Sequence, residues 1–356
     1  MPVYTKSLLL CPEKYSLYNS FTEMLKTISN EVVGLDVGKK ISAGDLKINS
    51  QIFRLPNSIR SKWEIHFLNK VNKIILEEFE KHQPDLVFVY NSEFLLPETC
   101  GLMKKKAKLI FFLGDSPFYT PANNYYLSIL KYGDLILSPD SFWIEQLNMI
   151  GIMKTCFFIP AIDHRSYFTL DTDSAKNSVN ETDVLYAGNS YVNSWGYKKA
   201  LLMNQFVDFN FELYGTSTWK RWFKYFPELE KKYKHSDYIQ TEKLNKMFNK
   251  ARIIPVDGNP GIINGLHIRA LEALGSGSLP LIEYRKDVDK LIFNEFGSGL
   301  PLIHNYSKAK EVVQYYLNND AERKDLALKM KNFISNKYSS KNNAELVVSR
   351  INDFKK

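Results

Sequence analysis

Residues 251–284, ARIIPVDGNPGIINGLHIRALEALGSGSLPLIEY, restrict the fold more than any other part of this chain. Arg252 to Val256 is an apolar run that suits a buried strand. A loop rich in glycine and asparagine follows, and then a helical spacing of Ile268, Leu271 and Leu274. Gly275 and Gly277 break the helix, and Leu279 to Glu283 reads as a second strand. That order is a βαβ-type unit. The loop beyond its first strand and the start of its helix present unpaired backbone N–H groups, so an anion, and a phosphate above all, is the first ligand to consider.

The same alternation runs through the rest of the chain. Ser7 to Cys11, the LVFVYNS run after Pro84-Asp85, Lys108 to Leu113, Asp134 to Leu137 and Thr155 to Ile159 read as buried strands with helical patterns between them. The longest of those patterns, Ser61 to His82, sets Trp63, Phe67, Val71, Ile75 and Phe79 on one stripe. This is a doubly wound α/β domain over residues 1–170. Residues 171–182, rich in Ser, Asn and Asp, form a polar linker. A second α/β series occupies 183–338, with strands expected at Asp183 to Ala187, Phe211 to Tyr214 and Asp237 to Ile239 before the opening unit. A terminal helix covers 339–356. At 356 residues and 44% apolar, the chain can supply two separate cores.

The net charge of +8 is spread along the sequence. A specific nucleic-acid binder concentrates its charge on one element, so none is expected as a partner. The balance suits anionic small molecules or loose contact with an anionic membrane surface. Cys11, Cys100 and Cys156 are far apart and odd in number, which points to buried thiols of a reducing compartment. No CxxC or HxxxH spacing supports zinc. The apolar run near the start is too short for a signal peptide or a membrane span, and a cytoplasmic protein is expected.

Ligands of open α/β sheets bind beyond the carboxyl ends of the strands, so the loops there carry the candidates. Gly114-Asp115-Ser116 puts a carboxylate and a hydroxyl after a buried strand, where Asp115 could deprotonate an acceptor hydroxyl or simply cap a turn. Gly188-Asn189-Ser190 and Gly215-Thr216 offer glycine backbone and polar side chains to a phosphate. Arg269 at a helix start opposes the dipole unless a diphosphate compensates it. Glu272, one turn on, could accept ribose hydroxyls; the other reading is an Arg269–Glu272 pair within the helix. His164 and Arg165 follow the last strand of the first series.

The ordered fragments FFLGDSP (111–117), IPAIDHRSYF (159–168), DVLYAGNSY (183–191), LYGTSTW (213–219), LNKMFNKARIIP (244–255) and NGLHIRALEALGSGSLPL (264–281) resemble the CgeB-like family of bacterial glycosyltransferases. The resemblance implies the GT-B fold, with two Rossmann-like domains facing each other across a cleft and the terminal helix crossing back to the first. It implies transfer of a sugar from a UDP-, GDP- or dTDP-sugar to a hydroxyl acceptor on a protein, glycan or surface polymer, without a metal or other cofactor. It places the donor in the second domain, on Gly188, Asn189, Ser190, Gly215, Thr216, Asn264, Gly265, His267, Arg269 and Glu272. Glu272 matches the glutamate that contacts the ribose. The acceptor falls to Asp115, Ser116, His164 and Arg165, with Asp115 and His267 as catalytic candidates.

Retaining enzymes of the wider superfamily often carry a glutamate eight positions before the ribose glutamate; here that position is Asn264. Stereochemistry therefore stays open. So do two other readings: a structural protein of a surface or spore-coat assembly with this fold, whose cleft Trp195 or Trp219 would block, and a nucleotide-sugar epimerase.

Overall fold

The computed structural model describes residues 2–91, 94–119, 125–170, 182–258, 261–296 and 299–354. They form two compact units, residues 1–160 with 340–356, and residues 161–339. The sequence sets the first boundary at 170, but residues 161–170 join the second unit. There the Phe168 and Leu170 N–H groups donate to Asn245 Oδ1 at 3.2 Å and Asn249 Oδ1 at 2.8 Å. The expected linker lies outside the described residues except for Thr182.

The first unit runs β1 (Tyr4–Leu10), α1 (Ser16–Ile28), β2 (Ser29–Leu35), α2 (Ala43–Gln51), α3 (Asn57–His82), β3 (Leu86–Tyr90), α4 (Pro97–Lys104), β4 (Lys108–Phe112), α5 (Tyr126–Leu130), β5 (Leu135–Ser138), α6 (Ser141–Met149) and β6 (Thr155–Phe157). Its six strands are parallel, in the order β2-β1-β3-β4-β5-β6. A parallel sheet is covered on both faces, which is why its strands read as continuous apolar runs; Val87, Phe88, Leu109 and Ile110 are wholly buried. Each such side chain contributes about 1.5–3 kcal/mol on burial. Phe21 of α1 seats itself between Phe88 and Phe112, ring centroids 4.7 and 4.9 Å away. Asp140 caps α6 by accepting the Phe142 N–H at 2.8 Å, and this seats Trp143 in the core.

The second unit runs β7 (Thr182–Ala187), α7 (Ser194–Met203), β8 (Phe211–Gly215), α8 (Pro227–Lys232), β9 (Tyr233–His235), α9 (Thr241–Lys250), β10 (Ala251–Val256), α10 (Arg269–Gly275), β11 (Leu279–Glu283), β12 (Leu302–Ile303), α11 (Ala309–Asn318) and α12 (Asp320–Lys337). Its strands are again parallel, in the order β12-β11-β10-β7-β8-β9. The final helix, α13 (Ser340–Asp353), belongs to the first unit. It packs against α1, buries Val347 and Ile351, and its Asn343 Nδ2 donates to the Ile159 carbonyl at 3.0 Å.

One expectation needs correction. The strand read at Asp237 to Ile239 lies instead at β9, in register with β8 through Leu213 opposite Tyr233. As an edge strand of polar residues it has no apolar alternation to reveal it. The stretch from Asp36 to Pro56 is weakly patterned in sequence and contains α2, a helix that buries none of its residues.

Each sheet has one place where the chain reverses its direction of strand addition. In the first it lies between β1 and β3, in the second between β7 and β10. Loops leaving the carboxyl ends of those strands border the natural ligand crevice.

Candidate functional site

In the second unit the loops beyond β7 and β8 are tied to each other. Gly188 N–H donates to the Tyr214 carbonyl at 3.0 Å, Thr216 N–H to Asn189 Oδ1 at 3.2 Å, and the Trp219 indole N–H to the Gly188 carbonyl at 2.8 Å. A Cβ on Gly215 would stand 2.4 Å from the Gly188 carbonyl oxygen, so this approach requires glycine. Trp219 is thereby consumed in the core, and neither it nor Trp195 lines the cavity beside these loops.

Asp257 directly follows β10. Its carboxylate accepts the Tyr186 hydroxyl at 2.8 Å and pairs with Lys199 Nζ at 3.2 Å, while Lys199 also donates to the Asn189 carbonyl at 2.9 Å. The neighbouring Lys198 pairs with Glu283 at the end of β11, and Glu283 also accepts the Gly258 N–H at 2.9 Å. Consecutive lysines of α7 thus hold carboxylates at the ends of adjacent strands. Burial works to raise the Asp257 pKa, but Lys199, His267 and the Tyr186 hydroxyl together hold it below the usual carboxylate range.

His267 lies just before α10. Desolvation pulls its imidazole down to about 4, against the pull of Asp257 and with Arg269 and Lys199 adding to the fall. The ring is neutral near pH 7. Its Nδ1 accepts the Arg269 N–H at 3.1 Å, which puts the proton on Nε2. Arg269 Nη1 pairs with Glu272 Oε2 at 2.6 Å, and its guanidinium lies 5.5 Å over the Phe248 ring.

Gly188, Asn189, Gly215, Lys199, Asp257, His267 and Arg269 line one cavity of about 470 Å³, which continues along residues 236–239. That volume is within the usual range for a small-molecule site. Lys199 and Arg269 are fixed cations, His267 supplies a neutral N–H donor, and the glycines admit a ligand close to the backbone.

Of the donor residues expected from sequence, Ser190, Thr216, Asn264, Gly265 and Glu272 do not line this cavity. Ser190 is buried with its hydroxyl unpartnered among the described residues. Thr216 bonds Thr218, hydroxyl to hydroxyl, at 2.8 Å. The Asn264 carbonyl accepts the Asp287 N–H at 2.9 Å, and Gly265 is buried behind it. Glu272 is buried and engaged with Arg269, as the intrahelical reading has it. With seven residues, α10 is a short helix, and fixed side-chain charge rather than its dipole dominates this cavity. Lys199, Asp257 and Tyr186 were not singled out from sequence. An aspartate immediately after the buried run RIIPV was the available signal.

His164 and Arg165 also belong to the second unit, away from the cavity lining. His164 Nε2 is 3.4 Å from the Ser335 hydroxyl, and the Arg165 N–H donates to Asp163 Oδ1 at 3.1 Å.

Asp115 and Ser116 lie in the first unit, in the loop beyond β4. Ser116 Oγ accepts the Phe118 N–H at 3.3 Å and shapes the turn. Asp115 is surface-exposed as a residue, yet the chain crowds its carboxyl and desolvation raises its pKa, with a hydrogen bond from Asn91 Nδ2 at 2.7 Å acting the other way. Among the described residues no group of three or more His, Cys, Asp or Glu side chains is placed to hold a metal ion.

A family described as Glycosyl transferase-like matches residues 198–349. No curated protein matches the chain in sequence. Among solved structures, sucrose-phosphate synthase from Thermosynechococcus elongatus is 10% identical, with 98% of each chain covered and a TM-score of 0.64. Anabaena Alr3699/HepE in complex with UDP and glucose is 11% identical, covering 98% of this chain and 99% of its own at a TM-score of 0.63. MnaA of S. aureus with UDP is 10% identical, covering 98% and 96% at a TM-score of 0.55. These likenesses establish the fold as GT-B, built of two Rossmann-like domains, each a parallel sheet flanked by helices.

Proposed function

We propose that this chain is a glycosyltransferase of the CgeB-like branch that moves a sugar from a nucleoside diphosphate sugar to a hydroxyl acceptor. The observation that carries the reading is the cavity at the switch point of the second sheet, where Lys199, Arg269 and the His267 N–H converge beside two glycine loops. The matched family and the UDP-bound neighbours of the same fold support it.

In this reading the diphosphate lies against Lys199, Arg269 and the backbone of Gly188. Breaking the anomeric bond builds negative charge on the leaving diphosphate. Fixed cations and the His267 Nε2–H meet that charge more strongly in the transition state than in the ground state. Asp257 does not oppose the ligand as a free anion would, since Lys199 and Tyr186 already occupy its oxygens. Glu272 acts by holding Arg269. In the first unit Asp115 takes the proton of the acceptor hydroxyl, and desolvation makes it a stronger base than an ordinary carboxylate. Asn189 and Gly215, which line the same cavity, complete the donor side, and His164 and Arg165 are assigned to the acceptor side.

Three free buried cysteines fit a cytoplasmic protein, and no helix among the described residues is long and apolar enough to cross a membrane. The test is a thermal-shift screen against UDP, GDP, dTDP, CDP and ADP sugars. One class should raise the melting temperature in a saturable way. Silence from all of them would sink the proposal, and isomerisation of the donor without any acceptor would point to an epimerase instead.

A further inference from the structure

Asn91 follows β3 at the switch point of the first sheet. Its backbone is left-handed, with φ of 38°, one of two non-glycine residues with positive φ among the described residues. Asparagine tolerates that region better than most side chains, at a cost usually recovered by contacts the conformation allows. Here the contacts are specific. Asn91 Oδ1 accepts the Gly114 N–H at 2.6 Å, the Asp115 N–H at 3.2 Å and the Tyr126 hydroxyl at 3.3 Å. Asn91 Nδ2 donates to Asp115 Oδ2 at 2.7 Å. Its own N–H donates to the Phe112 carbonyl at 3.2 Å, which ties β3 to β4 just below the loop.

The orientation of the amide follows from these partners. Two backbone N–H groups demand an acceptor, so the oxygen must face the Gly114-Asp115 turn, and the nitrogen is left to face the Asp115 carboxylate. An asparagine that served only to shape the turn would need its oxygen alone. The donor end does something further: it engages one carboxylate oxygen and leaves the other without a partner among the described residues.

We propose that Asn91 is the positioning residue for Asp115: its oxygen fixes the loop, and its Nδ2–H holds the carboxylate in one rotamer with the second oxygen presented to the acceptor hydroxyl. The inference deepens the glycosyltransfer reading and rests on it for the role of Asp115. The geometry also balances two opposed effects on that group. Desolvation raises its pKa while the Asn91 hydrogen bond, which favours the ionised carboxylate, restrains the rise.

The experiment uses the full-length chain with carboxyl-13C aspartate, the Asp115 signal being assigned by its loss in Asp115→Asn. Asn91→Ser keeps an oxygen near the loop and loses the amide donor. Asn91→Gly accepts the left-handed φ without strain and loses both contacts, so it guards against a variant that fails to fold. In each, the Asp115 titration should move upward by about one pH unit relative to the parent, as expected for a lost hydrogen bond to an ionised carboxylate. With the donor that the thermal screen selects, turnover should fall at unchanged donor affinity, and the acidic limb of the pH–rate profile should move the same way. An Asp115 titration that stays where it is in both folded variants overturns the proposal. Failure of the glycosyltransfer reading would show separately, as absence of nucleotide-sugar binding by the parent chain, while the titration would still decide whether Asn91 governs Asp115.

Discussion

Both sheets are six parallel strands with one switch point, after the second strand in the first and after the third in the second, and each has an aspartate near it, Asp115 in the first unit and Asp257 in the second. Their environments drive them in opposite directions. Burial works to raise Asp257, but Lys199 beside it holds it below its ordinary value; desolvation raises Asp115, and its amide partner only restrains that rise. A place beyond a strand near the switch point sets where a carboxylate stands, and its desolvation and partner decide what it can do. A carboxylate paired to a lysine is a holder of charge, whereas a desolvated one with a single neutral donor can accept a proton.

The strongest way to break that contrast is to neutralise each aspartate in turn. Asp115→Asn should lower turnover about 100- to 10,000-fold, the range for loss of a general base, with donor affinity unchanged. Equal turnover would remove Asp115 from the chemistry. On the other side, Lys199→Met leaves Asp257 buried without its cation and should cost ~3–5 kcal/mol of stability, measured by urea unfolding. Adding Asp257→Asn should restore much of that stability. Nucleotide affinity should stay ~10- to 100-fold down, because the charged hydrogen bond to the diphosphate is still missing. Recovery of binding in the double variant would mean that Lys199 serves Asp257 alone.

The same examples show what the sequence carried. Buried parallel strands were legible because both faces are covered, so LVFVY and KLIFF stand out as unbroken apolar runs. The loops that follow them were legible for the same reason, which is how Asp115, Gly188 and Gly215 were found. Lys199 was not, because in GYKKA it reads like any solvated helix lysine. Only the tertiary approach of β10 to α7 buries it against Asp257. Asn91 reads as an ordinary loop residue until its left-handed backbone and its four side-chain contacts are seen together. Arg269 and Glu272 were noticed, with both roles left open between ligand and partner; the geometry pairs them at 2.6 Å and turns only the arginine toward the cavity.

A pH titration sharpens the contrast from the second site. The folded pKa of His267 is about 4, below its ordinary value near 6.5, so between these values the unfolded chain holds a proton that the folded chain does not. Stability is then complete above pH 6.5 and declines as pH falls toward 4, by at most ~3 kcal/mol. His267→Asn should flatten that part of the curve in thermal melts. A parent curve already flat from pH 6.5 to 4 would show that the imidazole is solvated and free to carry charge.

The smallest expected effect tests whether the two units differ in their surfaces as well as in their sites. In the first unit, Leu46, Ile48, Leu55, Ile59 and Ile65 are all exposed within one stretch from α2 into α3, and α2 buries none of its residues. Lys47 and Lys62 accompany them without an ion-pair partner among the described residues. In the second unit the exposed apolar side chains, such as Val192, Tyr238 and Leu328, are scattered. Aliphatic side chains with unpaired lysines between them complement an anionic bilayer surface, so loose membrane contact is proposed for the first unit. The chain should co-sediment with phosphatidylglycerol-containing vesicles more than with pure phosphatidylcholine, and less at high salt. The pair Ile59→Ser and Ile65→Ser should weaken that binding ~3- to 10-fold, as for partial burial of two aliphatic side chains at the headgroup boundary, without changing nucleotide affinity. Binding that ignores both lipid charge and these two residues would assign the exposed stretch to another partner, and would confine the difference between the units to their switch points.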